Sequence, residues 1–77
     1  MGFSLSQTYL SRNLGKPALI NGSEMGIIQY QEGSGKLAIY STDGKKLIRF
    51  VESGDKLRFS NGDNIEKVVS ESLLKQR

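Results

Sequence analysis

Four short stretches in the middle of the chain alternate apolar with polar side chains, and each is followed by a turn that contains glycine. They cover residues 27–31, 36–40, 46–50 and 56–59. Runs of β-branched and aromatic residues separated by Asp-Gly or Ser-Gly are typical of consecutive β-hairpins. The pattern therefore predicts an antiparallel β-meander of four strands.

The lengths of the three turns predict which residues face one another across these strands. A four-residue loop at 32–35 and two-residue loops at 43–44 and 53–54 align two apolar rows, and a slip of one residue would break them. We expect the rows to form the core face: Tyr30, Leu37, Phe50 and Leu57 in one, and Ile28, Ile39, Ile48 and Phe59 in the other.

The C-terminal segment predicts a cover for this face. Apolar residues recur at helical spacing between Ile65 and Leu73, and Asp63 with Glu66 fits a helix-capping pair. These features favour an amphipathic helix. Adjacent valines lower helix propensity, which leaves a fifth strand through residues 65–70 as the alternative.

The N-terminal segment fits two interpretations. Residues 4–14 suit a short helix that ends before Gly15 and Pro17, and they also suit a strand. Asn21-Gly22 predicts a type I′ turn that folds residues 18–20 into a small extra hairpin. The predicted fold class is α+β, with an antiparallel β-meander of four to five strands, a C-terminal amphipathic helix and a short N-terminal helix or strand.

Length and composition limit the chain to one small basic domain. With 77 residues and 8.5 kDa, a single domain over residues 1–77 is expected. Hydrophobic residues make up 36% and charged residues 25%, with a formal net charge of +3 and a pI of about 9.4. The domain is thus foldable and mildly basic.

The sequence contains few residues that could carry out catalysis or bind a metal. Cysteine, histidine and tryptophan are absent, so the chain has no disulfide, no thiolate nucleophile and no histidine for a zinc site or a catalytic triad. Residues 33–38 match the Gly-x-Gly-x-x-Ala dinucleotide fingerprint, but they continue as a strand instead of opening a helix. We therefore expect no enzyme activity, no cofactor and no metal.

Membrane insertion and secretion also lack a sequence signal. No stretch approaches the roughly 20 apolar residues of a membrane helix, and residues 1–6 lack the charged and apolar layout of a signal peptide. We expect no membrane association and a cytoplasmic location.

The outward face of the predicted sheet suggests a function. The predicted register places Arg49 opposite Arg58, and opposed like charges destabilise a sheet by about 0.2–1 kcal/mol. An anionic partner such as nucleic acid would explain the arrangement, with Tyr40 as a stacking platform. The candidate contact residues are Gln29, Lys36, Tyr40, Arg49, Lys56 and Arg58. Alternatively, each arginine extends into water or pairs with a carboxylate, for example Glu24, Glu66 or Glu71.

A second hypothesis uses the apolar part of the same face. Ile27, Tyr40, Leu47 and Val51 are predicted to form a patch that a partner protein or a second copy could cover. The chain would then be a protein–protein interaction module, such as an adaptor, inhibitor or accessory subunit. The residues show no resemblance to a particular family.

Overall fold

The computed structural model describes residues 2–60 and 65–74, and this part of the chain is mostly β-structure. In chain order its elements are β1 (Gly2–Ser4), α1 (Gln7–Asn13), β2 (Pro17–Ile20), β3 (Glu24–Tyr30), β4 (Leu37–Tyr40), β5 (Leu47–Phe50), β6 (Lys56–Phe59), β7 (Glu66–Val68) and a 3₁₀ helix (Glu71–Leu73). The seven strands form one mixed sheet in the spatial order β1-β7-β6-β2-β3-β4-β5. The predicted α+β meander with a long C-terminal helix is therefore wrong.

The C-terminal segment is extended where a helix was expected. β7 pairs with β6 on one side and, in parallel, with β1 on the other. Val68 and Val69 are β-branched, which favours extended backbone, and only one 3₁₀ turn follows. Val69 and Leu73 are nevertheless buried. Asp63, the predicted helix cap, lies outside the described residues.

The N-terminal segment contains both a strand and a helix. β1 pairs with β7, and α1 begins after Ser6, whose hydroxyl oxygen accepts a hydrogen bond from the Tyr9 N–H at 3.1 Å. The helix buries Leu10 and ends at Asn13, and the backbone becomes extended at Leu14. A helix of this length has little intrinsic stability, so it depends on this packing.

The hairpins on either side of β3 form at the predicted turns, and the hairpin between β3 and β4 also has the predicted register. Asn21 and Gly22 have φ angles of 53° and 77°, which the type I′ turn between β2 and β3 requires. The four-residue loop before β4 is closed by the Gln31 N–H, which donates to the Lys36 carbonyl oxygen at 2.8 Å. Ile28 therefore faces Ile39, as the turn lengths predicted.

A β-bulge changes the register of the next hairpin. Tyr40 faces Leu47 as predicted, but the pairing then shifts by one residue, because Ile48 is extra in β5. Ile39 therefore faces Arg49, and Ala38 faces Phe50. Two predicted core residues, Ile48 and Phe50, are exposed to 45% and 37%, whereas Val51, predicted to point outward, is buried.

β6 does not pair with β5, so the predicted hairpin at residues 53–54 is wrong. β6 instead lies between β2 and β7. This position gives β6 backbone partners on both sides and places Leu57 opposite Ile20 and Phe59 opposite Ala18. β5 is consequently an edge strand.

The core lies on one face of the curved sheet, beneath α1 and the C-terminal turn. It contains Leu5, Leu10, Ala18, Ile20, Ile28, Leu37, Ile39, Val51, Leu57, Phe59, Val69 and Leu73. Side chains that alternate with the buried ones along β2 to β6 point to the opposite side, which we call the outer face. Its members include Leu19, Met25, Ile27, Gln29, Lys36, Tyr40, Leu47, Phe50, Lys56 and Arg58.

Candidate binding surfaces

The structure separates the six residues that the sequence singled out for an anionic partner. Gln29 and Tyr40 lie close together on the outer face, and Lys36 lies at the start of β4, beside Phe50. Lys56 and Arg58 are on β6, separated from β4 by two strands. Arg49 is on the inner side of β5.

Arg49 is engaged within the protein. The guanidinium donates to Asp55 Oδ2 at 3.1 Å, and it lies 3.6 Å from Glu24 Oε1. Arg58 faces Leu19 in β2, so the opposed arginine pair that suggested an anionic partner does not exist. The pair is absent because β6 lies beside β2 instead of β5, and the bulge at Ile48 turns Arg49 to the side where these carboxylates lie.

Asp55 is the centre of a polar cluster between the end of β5 and the start of β6. Besides Arg49, its carboxylate accepts hydrogen bonds from the Glu52 N–H at 2.8 Å and from Asn21 Nδ2 at 3.0 Å. Burial raises the pKa of Asp55, but the hydrogen bonds outweigh burial and hold the pKa below its ordinary value. The hydrogen bond with Asp55 is also the main reason that the pKa of Arg49 is raised.

This cluster joins the end of β5 to the start of β6, two strands that do not pair with each other. We call the junction between β5 and β6 the seam, and its side chains are Glu24, Arg49 and Asp55. Among the described strands, only β4 pairs with β5. The seam therefore depends on charged side chains where the sequence had predicted a hairpin.

An outer groove contains two of the predicted contact residues. It has a volume of about 260 Å³ and is lined by Gly15, Ile27, Gln29, Tyr40 and Gly44. A β-carbon on Gly44 would come within 4.0 Å of Ile27 Cδ1, so the β4–β5 loop lies over the outer face.

Two exposed lysines directly follow lining residues of the outer groove. Lys16 follows Gly15 and Lys45 follows Gly44, and both glycines have positive φ, at 82° and 75°. The sequence did not single out these lysines, because it does not show that distant loops meet at β3. The repeated Gly-Lys dipeptide was the available signal.

A larger cleft, the β5 cleft, lies at the end of β5. It has a volume of about 410 Å³, and its lining residues are Lys36, Phe50, Val51, Glu52, Ser53, Glu71 and Leu74. The ammonium of Lys36 is 5.6 Å from the centre of the Phe50 ring. The cleft therefore combines an apolar floor with both signs of charge at its rim.

The β5 surface, defined as Ile48, Phe50 and the β5 cleft, is unusual because exposed apolar side chains lie on an edge strand. Natural proteins commonly protect such edges with charges, proline, a β-bulge or a covering segment, since a free edge can pair with another chain. β5 has a bulge and the inward-pointing Arg49, but Ile48 and Phe50 remain exposed. The sequence pattern placed Ile48 and Phe50 in the core, so this surface was not predicted.

Comparisons with models of protein families, with curated proteins and with solved structures found no significant match. Within residues 2–60 and 65–74, no group of three acidic side chains is placed to hold a metal ion, and no helix is long and apolar enough to cross a membrane. Geometry alone must therefore support a functional proposal.

Proposed function

We propose that this protein is a non-enzymatic interaction module that binds another polypeptide through the β5 surface. The observation that carries the proposal is the exposure of Ile48 and Phe50, at 45% and 37%, on an edge strand beside a cleft of about 410 Å³. An added strand would bond to the backbone of β5, and the cleft would accept side chains of the partner. Burial of the two apolar side chains would supply binding free energy.

The rim of the β5 cleft favours a partner that carries both kinds of charge. Glu52 and Glu71 lie at the same cleft as Lys36. Carboxylates at the edge of an apolar surface favour basic side chains of a partner and disfavour acidic ones, which provides specificity more than affinity.

Peptide selection followed by NMR tests this proposal. Peptides selected on the immobilised protein should shift the amide signals of residues 47–53, because a strand added to β5 contacts that backbone. Phe50→Glu should weaken binding by about tenfold or more. The matched control is Phe3→Glu, since Phe3 is 49% exposed on the other edge strand and also has a lysine, Lys67, 5.5 Å from its ring.

Two outcomes would contradict binding at β5. In one, the amide shifts centre on the outer groove and leave residues 47–53 unchanged. In the other, Phe3→Glu reduces affinity as much as Phe50→Glu, which would indicate nonspecific apolar contact.

A second candidate function is contact with an anionic ligand such as single-stranded nucleic acid at the outer groove. It is favoured by the presence of Tyr40 and Gln29 in one groove, with Lys16 and Lys45 next to its lining residues. An aromatic ring can stack on a base while nearby lysines contact phosphates. The net charge of +3 would support association.

Binding of a short labelled oligonucleotide at several salt concentrations tests the second candidate. Affinity should fall as salt rises, and Lys16→Glu with Lys45→Glu should weaken binding strongly because it reverses both nearby cations. The double variant Lys56→Glu with Arg58→Glu makes the same charge change on β6 and serves as the comparison. An equal loss with this double variant would reject the outer groove as the site. Under either function, we propose a cytoplasmic location.

A further inference from the structure

We infer that Arg49 closes the edge of β5 to an added strand, and that a polypeptide pairs with this edge only when it displaces the guanidinium group of Arg49. The inference rests on the proposed function and concerns the regulation of the β5 surface. The observation that carries it is the hydrogen bond that Arg49 Nη1 donates to the Phe50 carbonyl oxygen at 3.1 Å.

The carbonyl oxygen of Phe50 faces the free edge of β5. The Val51 N–H donates to the Leu37 carbonyl oxygen of β4 at 2.9 Å, so the backbone groups of Val51 point towards β4. Adjacent residues of a strand point their backbone groups to opposite edges. The N–H and the carbonyl of Phe50 therefore point away from β4, to the edge at which an added strand would bond.

The Arg49 guanidinium is held at this oxygen by a second acceptor. Nη1 also donates to Asp55 Oδ2 at 3.1 Å, while Nη2 lies 3.6 Å from Glu24 Oε1. The Asp55 carboxylate is in turn bonded to the Glu52 N–H at 2.8 Å. The guanidinium therefore lies between the free edge of β5 and the start of β6, at the place where the backbone of an added strand would meet Phe50.

A partner must compete with this contact for the same oxygen. In strand addition, an N–H of the partner would donate to the Phe50 carbonyl oxygen. A hydrogen bond from a charged donor is stronger than one from a neutral N–H, so main-chain pairing alone does not displace the guanidinium. Burial of the exposed Ile48 and Phe50 side chains supplies the additional free energy. The edge thus opens to polypeptides that also cover these side chains and stays closed to other free strands.

The protection acts on the main chain of β5 and leaves its side chains free. Inward-pointing charged residues are one of the means by which natural proteins prevent edge strands from pairing. Arg49 points inward, and Ile48 and Phe50 on either side of it remain exposed. A partner is therefore recognised first through apolar side chains, and its backbone pairs with β5 after Arg49 has moved.

Removal of the guanidinium tests the inference. Peptides selected on the wild-type protein should bind Arg49→Met about tenfold more tightly or better, because their N–H no longer competes with a charged donor. Arg58→Met is the matched control. It makes the same change on β6, which has a strand partner on each side, and should leave the affinity unchanged. Isothermal titration calorimetry gives the affinities.

The outcomes separate this inference from the proposed function. If Arg49→Met binds the peptides no more tightly than the wild type, or if Arg58→Met gains as much, the closing role of Arg49 is wrong and the β5 surface is retained. Peptides that shift no amide signal of residues 47–53 in the wild type or in Arg49→Met overturn both.

A measurement on the wild-type protein covers the case in which Arg49→Met does not fold. When a selected peptide binds, the NMR signals of the Arg49 guanidinium and of the Phe50 carbonyl carbon should both move, because the hydrogen bond between them is broken. If both signals keep their positions while the amide signals of residues 47–53 shift, the partner binds without displacing Arg49 and the inference is wrong.

Discussion

At the scale of single residues, Asp55 and Asp43 are two turn aspartates in different surroundings. Asp55 bonds to groups from three parts of the chain, and its side chain is only 12% exposed. Asp43 is exposed and bonds within its own loop, to the Ser41 hydroxyl and the Lys45 N–H. The sequence alone does not distinguish them, since both stand next to glycine in a turn.

Asp55→Ala should lower the free energy of unfolding by about 2–3 kcal/mol, because the Arg49 guanidinium and the Glu52 N–H lose a charged acceptor. Asp43→Ala is the matched control and should have a smaller effect. Urea titration of both variants gives the comparison. Equal losses would contradict the assigned role of the seam.

The depressed pKa of Asp55 predicts a pH dependence of stability. A carboxylate whose folded pKa lies below its unfolded value contributes its stability above the unfolded pKa of about 3.9, and this contribution is lost as pH falls through the folded pKa. Asp55→Asn should therefore reduce the acid-induced loss of stability. Unfolding free energies measured from neutral pH down to acid pH test this, and an unchanged slope would contradict it.

Gly26→Ala should destabilise the protein by about 1–3 kcal/mol through overcrowding in the core. A β-carbon at Gly26 would lie 2.7 Å from Ile39 Cγ2 and 2.8 Å from the Tyr40 carbonyl oxygen. Ile39→Leu removes that methyl group and should recover part of the loss in the double variant. Thermal unfolding of the single and double variants measures the coupling, and strict additivity would argue against the clash.

At the scale of elements, the predicted strand register is correct for β3 and β4 and fails at the bulge in β5. Turn chemistry predicted the Asn21-Gly22 hairpin and the pairing of Ile28 with Ile39, because these depend on adjacent residues. Ile48 and Phe50 alternate as core residues do, so nothing local indicated that Ile48 would be extra. The predicted binding role of Arg49 depended on a register without this bulge.

The sequence pattern also could not predict the pairing of strands that are far apart in the chain. Strand β2 pairs with β6 on the side that β3 does not occupy, and these two strands are far apart in the chain. Neither strand carries a local signal that specifies the other, since a hairpin between β5 and β6 satisfied the same apolar pattern. The β5 surface was missed for this reason, because a β5 that paired with β6 would have no free edge.

Deletion of Ile48 should be tolerated, with the fold retained. The remaining residues of β5 keep the faces they have now, because Ile48 is the residue without a direct partner in β4. Deletion of Arg58, which is also exposed but lies in a regular strand between two partners, should prevent folding, because it moves Phe59 out of the core. Circular dichroism and amide spectra distinguish the outcomes. An unfolded Ile48 deletion would show that the bulge is required.

At the scale of the whole molecule, the strand order places distant parts of the chain side by side. Gly2 faces Glu66 in the parallel pair of β1 and β7, and Ala18 faces Phe59 in the pair of β2 and β6. Such pairings require closure of long loops before native contacts form, which slows folding.

Refolding from urea should therefore occur in milliseconds to seconds, as is typical of sheets with non-local pairing. Stopped-flow fluorescence of the tyrosines follows the reaction. Complete refolding within microseconds would indicate that local hairpins, not the β2–β6 pairing, limit the rate.

At the seam, the ion pair between Arg49 and Asp55 links the end of β5 to the start of β6. Elsewhere the sheet is joined by main-chain hydrogen bonds, which depend little on dissolved ions, whereas Arg49 and Asp55 attract each other through a partly hydrated contact. Concentrated salt should weaken this ion pair, so that β5, which then keeps only its ladder with β4, exchanges its amide protons with solvent faster than β6. The binding strand would thus separate from Asp55 while it remains in the sheet.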